Sequence, residues 1–282
     1  AGSAMRYVAG GAIDVSAPAG AAAPDTAAIG ELGASLTLQG PSVSLDTTVA
    51  LPTGVLRLLA DGDISLGEGA QIDLSGRAVQ FYDITKYSWG CAATLTSTNG
   101  SIAQAAGSRI DVSAAHEDAG SLTLDARAGT ATLAGALLGA GGGAGFDNGK
   151  FDLTTRAISD ADFAALNARL NDAAFFGARG FVVKQGDLNV GEGVRARQVS
   201  IATDAGRLTV NGTIDASGAT PGSIRLNASG DLTLAAGAVL DTHATTLVAD
   251  SYGAPIDASN RAKISLGSTG GTVRLEPGAT LD

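Results

Sequence analysis

A thirteen-residue pattern recurs along this chain, and recurrence of that kind points to stacked structural units rather than to one irregular core. Asp231 to His243 reads Asp-Leu-Thr-Leu-Ala-Ala-Gly-Ala-Val-Leu-Asp-Thr-His, and both Asp63 to Ser75 and Ser101 to Ser113 overlay it without a gap. Thr272 to Asp282 follows the same template and stops inside it, so the unit is expected to continue beyond this stretch.

A corner motif marks each unit. Ile13-Asp14, Ile72-Asp73, Ile110-Asp111, Ile214-Asp215 and, more loosely, Leu240-Asp241 place an aliphatic residue before an acid. Strand side chains alternate faces, so the aliphatic residue points inward and the Asp outward, and the small residues that follow let the backbone turn. A second recurring element is Ser35-Leu36-Thr37-Leu38, Gly120 to Leu124, Gly222 to Leu226 and Gly271 to Leu275, each read as a short half-buried strand. The clearest run is Arg207 to Asp241, whose inward residues are Leu208/Val210, Ile214/Ala216, Ile224/Leu226, Leu232/Leu234 and Leu240. Leu208 and Leu232 lie a coil apart, as do Ile214 and Leu240. That spacing predicts an all-β, right-handed parallel β-helix, a solenoid with three short strands per coil; an antiparallel sandwich has no reason to repeat a corner at coil spacing. The chain reads as one such domain over 1–282. With coils about 4.8 Å apart, roughly ten of them would extend about 50 Å.

Composition agrees with this reading. Forty glycines and 4% aromatic residues leave Ala, Val, Leu and Ile to build the core, while 45% hydrophobic residues argue against disorder. A net charge of −10 makes nucleic acid an unsuitable partner, because phosphate contacts need clustered Lys and Arg. Cys91 is the single cysteine, so no internal disulfide forms, and no apolar run approaches the roughly 20 residues that span a bilayer. The opening Ala1-Gly2-Ser3-Ala4-Met5 reads as a cloning remnant, and the whole as an internal fragment.

Three segments interrupt the rhythm. Ala17 to Ala28, rich in Ala, Pro and Gly, reads as a surface loop. The stretch 77–93 concentrates Phe81, Tyr82, Tyr87 and Trp89. The stretch 139–180 begins with a Gly-rich loop and continues into a helical insertion: Ser159 and Asp162 form a capping pair, Phe163, Leu166 and Leu170 make one apolar face, and Gly177 is a stop signal, giving a helix over about Asp160 to Phe176.

Taken together, the Ile-Asp-x-Ser-Gly corners, Gly222-Ser223-Ile224-Arg225-Leu226, Gly230-Asp231-Leu232-Thr233-Leu234-Ala235-Ala236-Gly237-Ala238, and Ala165-Leu166-Asn167-Ala168-Arg169-Leu170 ahead of Val183 to Leu188 resemble large filamentous haemagglutinin-type exoproteins. The likeness covers most of the chain. It implies export by two-partner secretion through an outer-membrane partner, a bacterial cell-surface or extracellular location, and a virulence-linked role in cell adhesion or in presenting a terminal domain. The secretion-domain motifs of that family are not in this sequence.

The expected function is a non-catalytic structural and adhesive rod segment with host or matrix glycans or proteins as partners. Alternatives are a polysaccharide-active β-helix enzyme and the stalk of a contact-dependent toxin delivery protein. Aromatic faces stack on sugars and anchor interfaces, so Phe81, Tyr82, Tyr87 and Trp89 are the candidate ligand or partner patch, packing against the β-helix being the other reading. Arg156, Arg169 and Arg179, around the helix, form a secondary candidate patch for an acidic ligand. No catalytic, cofactor or metal site is expected. Asp14, Asp73, Asp111, Asp215, Asp241 and Asp282 recur at one place in the unit, which suits turn chemistry better than the one-off acid pair that catalysis needs. His116 and His243 read as solvated loop residues, and Cys91 as an inert small residue beside Trp89. Asp61-Gly62-Asp63 and Asp147-Asn148-Gly149 do not continue into a calcium loop.

Overall fold

The computed structural model describes residues 2–22, 24–26 and 29–282, so part of the Ala17–Ala28 loop lies outside the described residues. The backbone packs as two compact units, 1–156 with 173–175, and 157–172 with 176–282. Each is a parallel β-helix.

In the first unit one face is built by the strands Ala4–Val8, Ser35–Gly40, Val55–Ala60, Ala92–Ser97, Ser121–Ala126 and Lys150–Thr155, in that order and all parallel. Ala4 and Met5 thus belong to the first strand. Ile13–Ser16, Val43–Asp46, Ile64–Leu66, Ile102–Gln104 and Ala131–Leu133 make a second face, and Thr48–Ala50, Gln71–Asp73, Arg109–Asp111 and Ala136–Leu138 a third. The second unit repeats the scheme with Ala178–Val183, Gln198–Thr203, Ser223–Ala228 and Lys263–Ser268, then Leu188–Val190, Leu208–Val210, Leu232–Leu234 and Val273–Leu275, then Val194–Arg195, Thr213–Asp215, Val239–Asp241 and Thr280–Leu281. Strand–crossover–parallel-strand connections of this kind wind right-handed.

The register is what the coil spacing requires. Leu208 pairs with Leu232 and Ile214 with Leu240. The inward residues of Arg207 to Asp241 are all buried, which makes aliphatic rows running from coil to coil. The thirteen-residue template therefore covers the second-face strand, a turn and the third-face strand. Its turn closes through Ala70 N–H to Gly67 O, Ser108 N–H to Ala105 O, Ala238 N–H to Ala235 O and Ala279 N–H to Glu276 O. The residue donating in that turn points into the core, so it stays small: Ala70, Ser108 and Ala238 are fully buried. Gly237 and Gly278 just before it take φ near +90°, a conformation that favours glycine.

Two assignments shift: Ile13-Asp14, read as equivalent to the other corners, lies on the second-face strand Ile13–Ser16 paired with Val43–Asp46. Val273–Leu275 is a second-face strand paired with Leu232–Leu234, and Lys263–Ser268 supplies the first-face strand of that coil. The 243–262 excursion between the third face of one coil and the first face of the next hid this in the sequence.

The helix spans Asp160–Asp172, four residues shorter at its C-terminal end than the apolar stripe suggests. Its start is as expected, with Asp162 N–H donating to Ser159 Oγ at 3.1 Å. It ends because Phe175 is buried against Phe151, ring centroids 6.1 Å apart, where a Cβ on Gly139 or Gly149 would collide with it. Ala174, at φ 58°, turns the chain out of the helix to bring it there. Phe163, Leu166 and Leu170 are buried, and Phe163 meets Phe181 edge-on at 4.9 Å.

Candidate functional site

Three of the corner acids are hydrogen-bonded within their own turns. Asp73, Asp111 and Asp215 each accept from the N–H and the Oγ of the Ser two residues on: Ser75, Ser113 and Ser217. A guanidinium also sits on each: Arg77 on Asp73, Arg109 on Asp111 and Arg195 on Asp215. A second set of acids, at the first position of the template, escaped the sequence reading. Asp63 accepts from Ser101 N–H at 2.8 Å, Asp187 from Arg207 N–H at 2.8 Å and Asp231 from Thr272 N–H at 2.9 Å. These bonds run from one coil to the next, so they pin coil to coil. The signal was there in the Gly-Asp dipeptides Gly62-Asp63, Gly186-Asp187 and Gly230-Asp231, which recur as regularly as the Ile-Asp corners.

Within 77–93, residues 78–87 form a β-hairpin. Ala78–Phe81 pairs antiparallel with Ile84–Tyr87, leaving Tyr82 and Asp83 as a two-residue loop. A loop that short needs positive φ, and Tyr82 adopts φ 52° without being Gly or Asn. The aromatics are exposed: Tyr82 in the loop is 100% exposed, Phe81 beside it 56%, Tyr87 at the base 39% and Trp89, just past the second strand, 58%. Pairing puts Val79, Phe81, Ile84 and Lys86 on one side and Ala78, Gln80, Thr85 and Tyr87 on the other. Tyr87 lies against His116 at 4.2 Å between ring centroids, so this histidine is a ring contact at the hairpin base.

A polar knot roots the hairpin in the third face. Thr53 Oγ1 donates to Ser88 Oγ at 2.6 Å, Arg77 N–H donates to Ser88 Oγ at 2.8 Å, and Ser88 N–H returns to Arg77 O at 2.9 Å. Arg77 in turn pairs with Asp73. Burial alone would raise the Asp73 carboxyl, but the hydrogen bonds from Ser75 and Arg77 together outweigh it and hold the pKa below its ordinary value. Cys91 is a free, half-buried thiol whose carbonyl occupies the space a Cβ on Gly120 would need.

The three arginines around the helix differ in exposure. Arg179 is 1% exposed and stands in register with Val199, on the inward row that every other coil fills with an apolar side chain. Its guanidinium donates to Asn167 Oδ1 at 3.0 Å and Asn171 Oδ1 at 2.7 Å and lies 5.7 Å from the Phe176 ring centroid. Desolvation, with Arg195 nearby, lowers its pKa to about 10, so it remains charged at neutral pH. Solvent ligands cannot reach it. Arg169 is half-buried and Arg156, in the other unit, is exposed. Asn167 and Asn171, one turn apart on the helix, were not singled out in the sequence; polar amides on the buried face of an insertion were the available sign.

The chain matches no family model, no curated protein and no solved structure. No helix among the described residues is long and apolar enough to cross a membrane.

Acids and bases converge on one groove of the second unit, lined by Arg207, Thr209, Asp231, Thr233, Thr272, Arg274 and Glu276. Both carboxylates there are committed to the backbone, Asp231 to Thr272 N–H and Glu276 to Ala236 N–H at 3.2 Å.

Proposed function

We propose that this chain is a non-catalytic structural and adhesive segment of a secreted bacterial surface exoprotein, which displays the aromatics Phe81, Tyr82, Tyr87 and Trp89 to host or matrix glycans or proteins. The observation that carries this reading is the hairpin: four large aromatic side chains from a sequence with 4% aromatic residues leave the core and stand exposed on it or just past it. Burying such rings in the core would return roughly 1.5–3 kcal/mol each, so their exposure is a cost that contact with a partner would offset. The periodic acids support a scaffold rather than a hydrolase, since hydrogen bonds inside turns or between coils occupy them, whereas acid–base catalysis needs a pair held apart from such duties. Extracellular display and export through an outer-membrane partner rest on the family resemblance of the repeats.

The test is retention of the chain on immobilised glycans and matrix proteins, compared with Tyr82→Ala and Trp89→Ala. Binding that falls at least about tenfold in either variant supports the reading. Unchanged binding in both, or release of shortened oligosaccharides from any polysaccharide offered, defeats it.

A further inference from the structure

The third-face corner at Asp241 breaks the rule that the other corners follow. Where Asp73, Asp111 and Asp215 are followed two residues on by Ser75, Ser113 and Ser217, Asp241 is followed by His243. The imidazole takes the place of the hydroxyl, with His243 Nδ1 2.6 Å from Asp241 Oδ1 and the His243 N–H on the same oxygen at 3.1 Å. The next coil brings a second acid to this point. Leu240 pairs with Leu281, Asp282 N–H donates to Leu240 O, and Thr242 N–H donates to Asp282 O, so Asp282 flanks Asp241. One ligand atom from each of Asp241, His243 and Asp282 then lies within 4.8 Å of the other two.

Charge at this corner is also balanced differently. Asp215, directly below Asp241 in the register, has Arg195 at 3.2 Å. Among the described residues no Lys or Arg pairs with Asp241 or Asp282, and His243 is the only basic group on them. Like charges stacked at strand spacing repel, and a cation between them removes that repulsion.

We propose that Asp241, His243 and Asp282 bind one first-row divalent ion of the zinc type, which staples the third-face corners of two successive coils. An imidazole with two carboxylates suits such an ion, whereas calcium and magnesium take oxygen ligands alone. Metal–ligand bonds of about 2.0–2.2 Å in tetrahedral geometry put ligand atoms roughly 3.3 Å apart. The ion therefore enters where Nδ1 and Oδ1 now share a proton, widening that contact by under about 1 Å and drawing Asp282 inward. Both side chains are partly exposed and have room to do so. Three protein ligands leave a fourth position to water.

This inference does not depend on the adhesive reading. It is tested by calorimetric titration of the tag-free full chain with zinc chloride at neutral pH, beside His243→Ser, Asp282→Asn and His116→Ala. His243→Ser restores the Asp-x-Ser corner of the other coils, so it removes the imidazole and keeps the turn; circular dichroism confirms its fold, and His243→Gln serves if it does not fold. The expected result is a single equivalent of zinc bound by the parent and by His116→Ala, at least about tenfold weaker binding in the other variants, and no displacement by equimolar calcium. Absence of zinc binding, undiminished binding in the His243 variant, or equal competition by calcium overturns the proposal.

Discussion

Removal of the Arg179 guanidinium isolates what a charge does inside a β-helix. Arg179→Ala strands the Oδ1 atoms of Asn167 and Asn171, of which Asn167 is itself buried. A stranded buried acceptor costs about 1–3 kcal/mol. Loss of two buried methylene groups adds roughly 1.6 kcal/mol. Against these stands the several kcal/mol no longer needed to desolvate the guanidinium. The guanidinium's hydrogen bonds and its place over the Phe176 ring repay most of that cost in the folded protein, and the partners left behind are neutral amides, so the net change is a loss of about 1–3 kcal/mol. Arg179→Leu combined with Asn167→Leu removes donor and acceptor together and fills the row as the neighbouring Val199 does, so it is expected to recover most of the loss. Urea unfolding followed by far-ultraviolet circular dichroism compares the parent with both variants. The midpoint should fall for Arg179→Ala and return most of the way in the double variant. A loss under about 1 kcal/mol for Arg179→Ala, or no recovery in the double variant, refutes the account of Arg179 as a core strut.

Three further outcomes follow from the packing. Leu226, fully buried between Ile201 and Leu266 in register, should cost about 3 kcal/mol as Leu226→Ala, and Leu275→Ala, 47% exposed, under about 1 kcal/mol, by urea midpoints. Gly222→Ala drives a Cβ into Ala216 O and should destabilise by about 2 kcal/mol or more, whereas Gly218→Ala, with nothing nearer than 3.8 Å, should be neutral in thermal melts. Asp73 has a folded pKa below its unfolded value, so its contribution is full above about pH 4 and is lost as pH falls through the folded value. Asp73→Asn should therefore lose about 1 kcal/mol at neutral pH, and the gap to the parent should close towards about pH 2 in parallel urea titrations.

Periodicity alone determined the parallel β-helix, because an aliphatic residue, an outward acid and a small residue at fixed spacing can be satisfied together only by stacked coils. Ile214 and Leu240, or Leu208 and Leu232, needed no coordinates to be placed in register. The turn role of the Asp corners was legible for the same reason. Tertiary structure decided whatever departs from the repeat. Arg179 sits at an inward position by register, and nothing in its own sequence neighbourhood says that Asn167 and Asn171 come back across the helix to receive it. Phe175 packs closely on Gly139 and Gly149, a contact that local helix propensity does not register. The exposure of Tyr82 and the meeting of Asp241, His243 and Asp282 belong to the same class. A repeat fixes each residue against its equivalent in the next coil, but contacts between non-equivalent residues exist only once the coils have stacked.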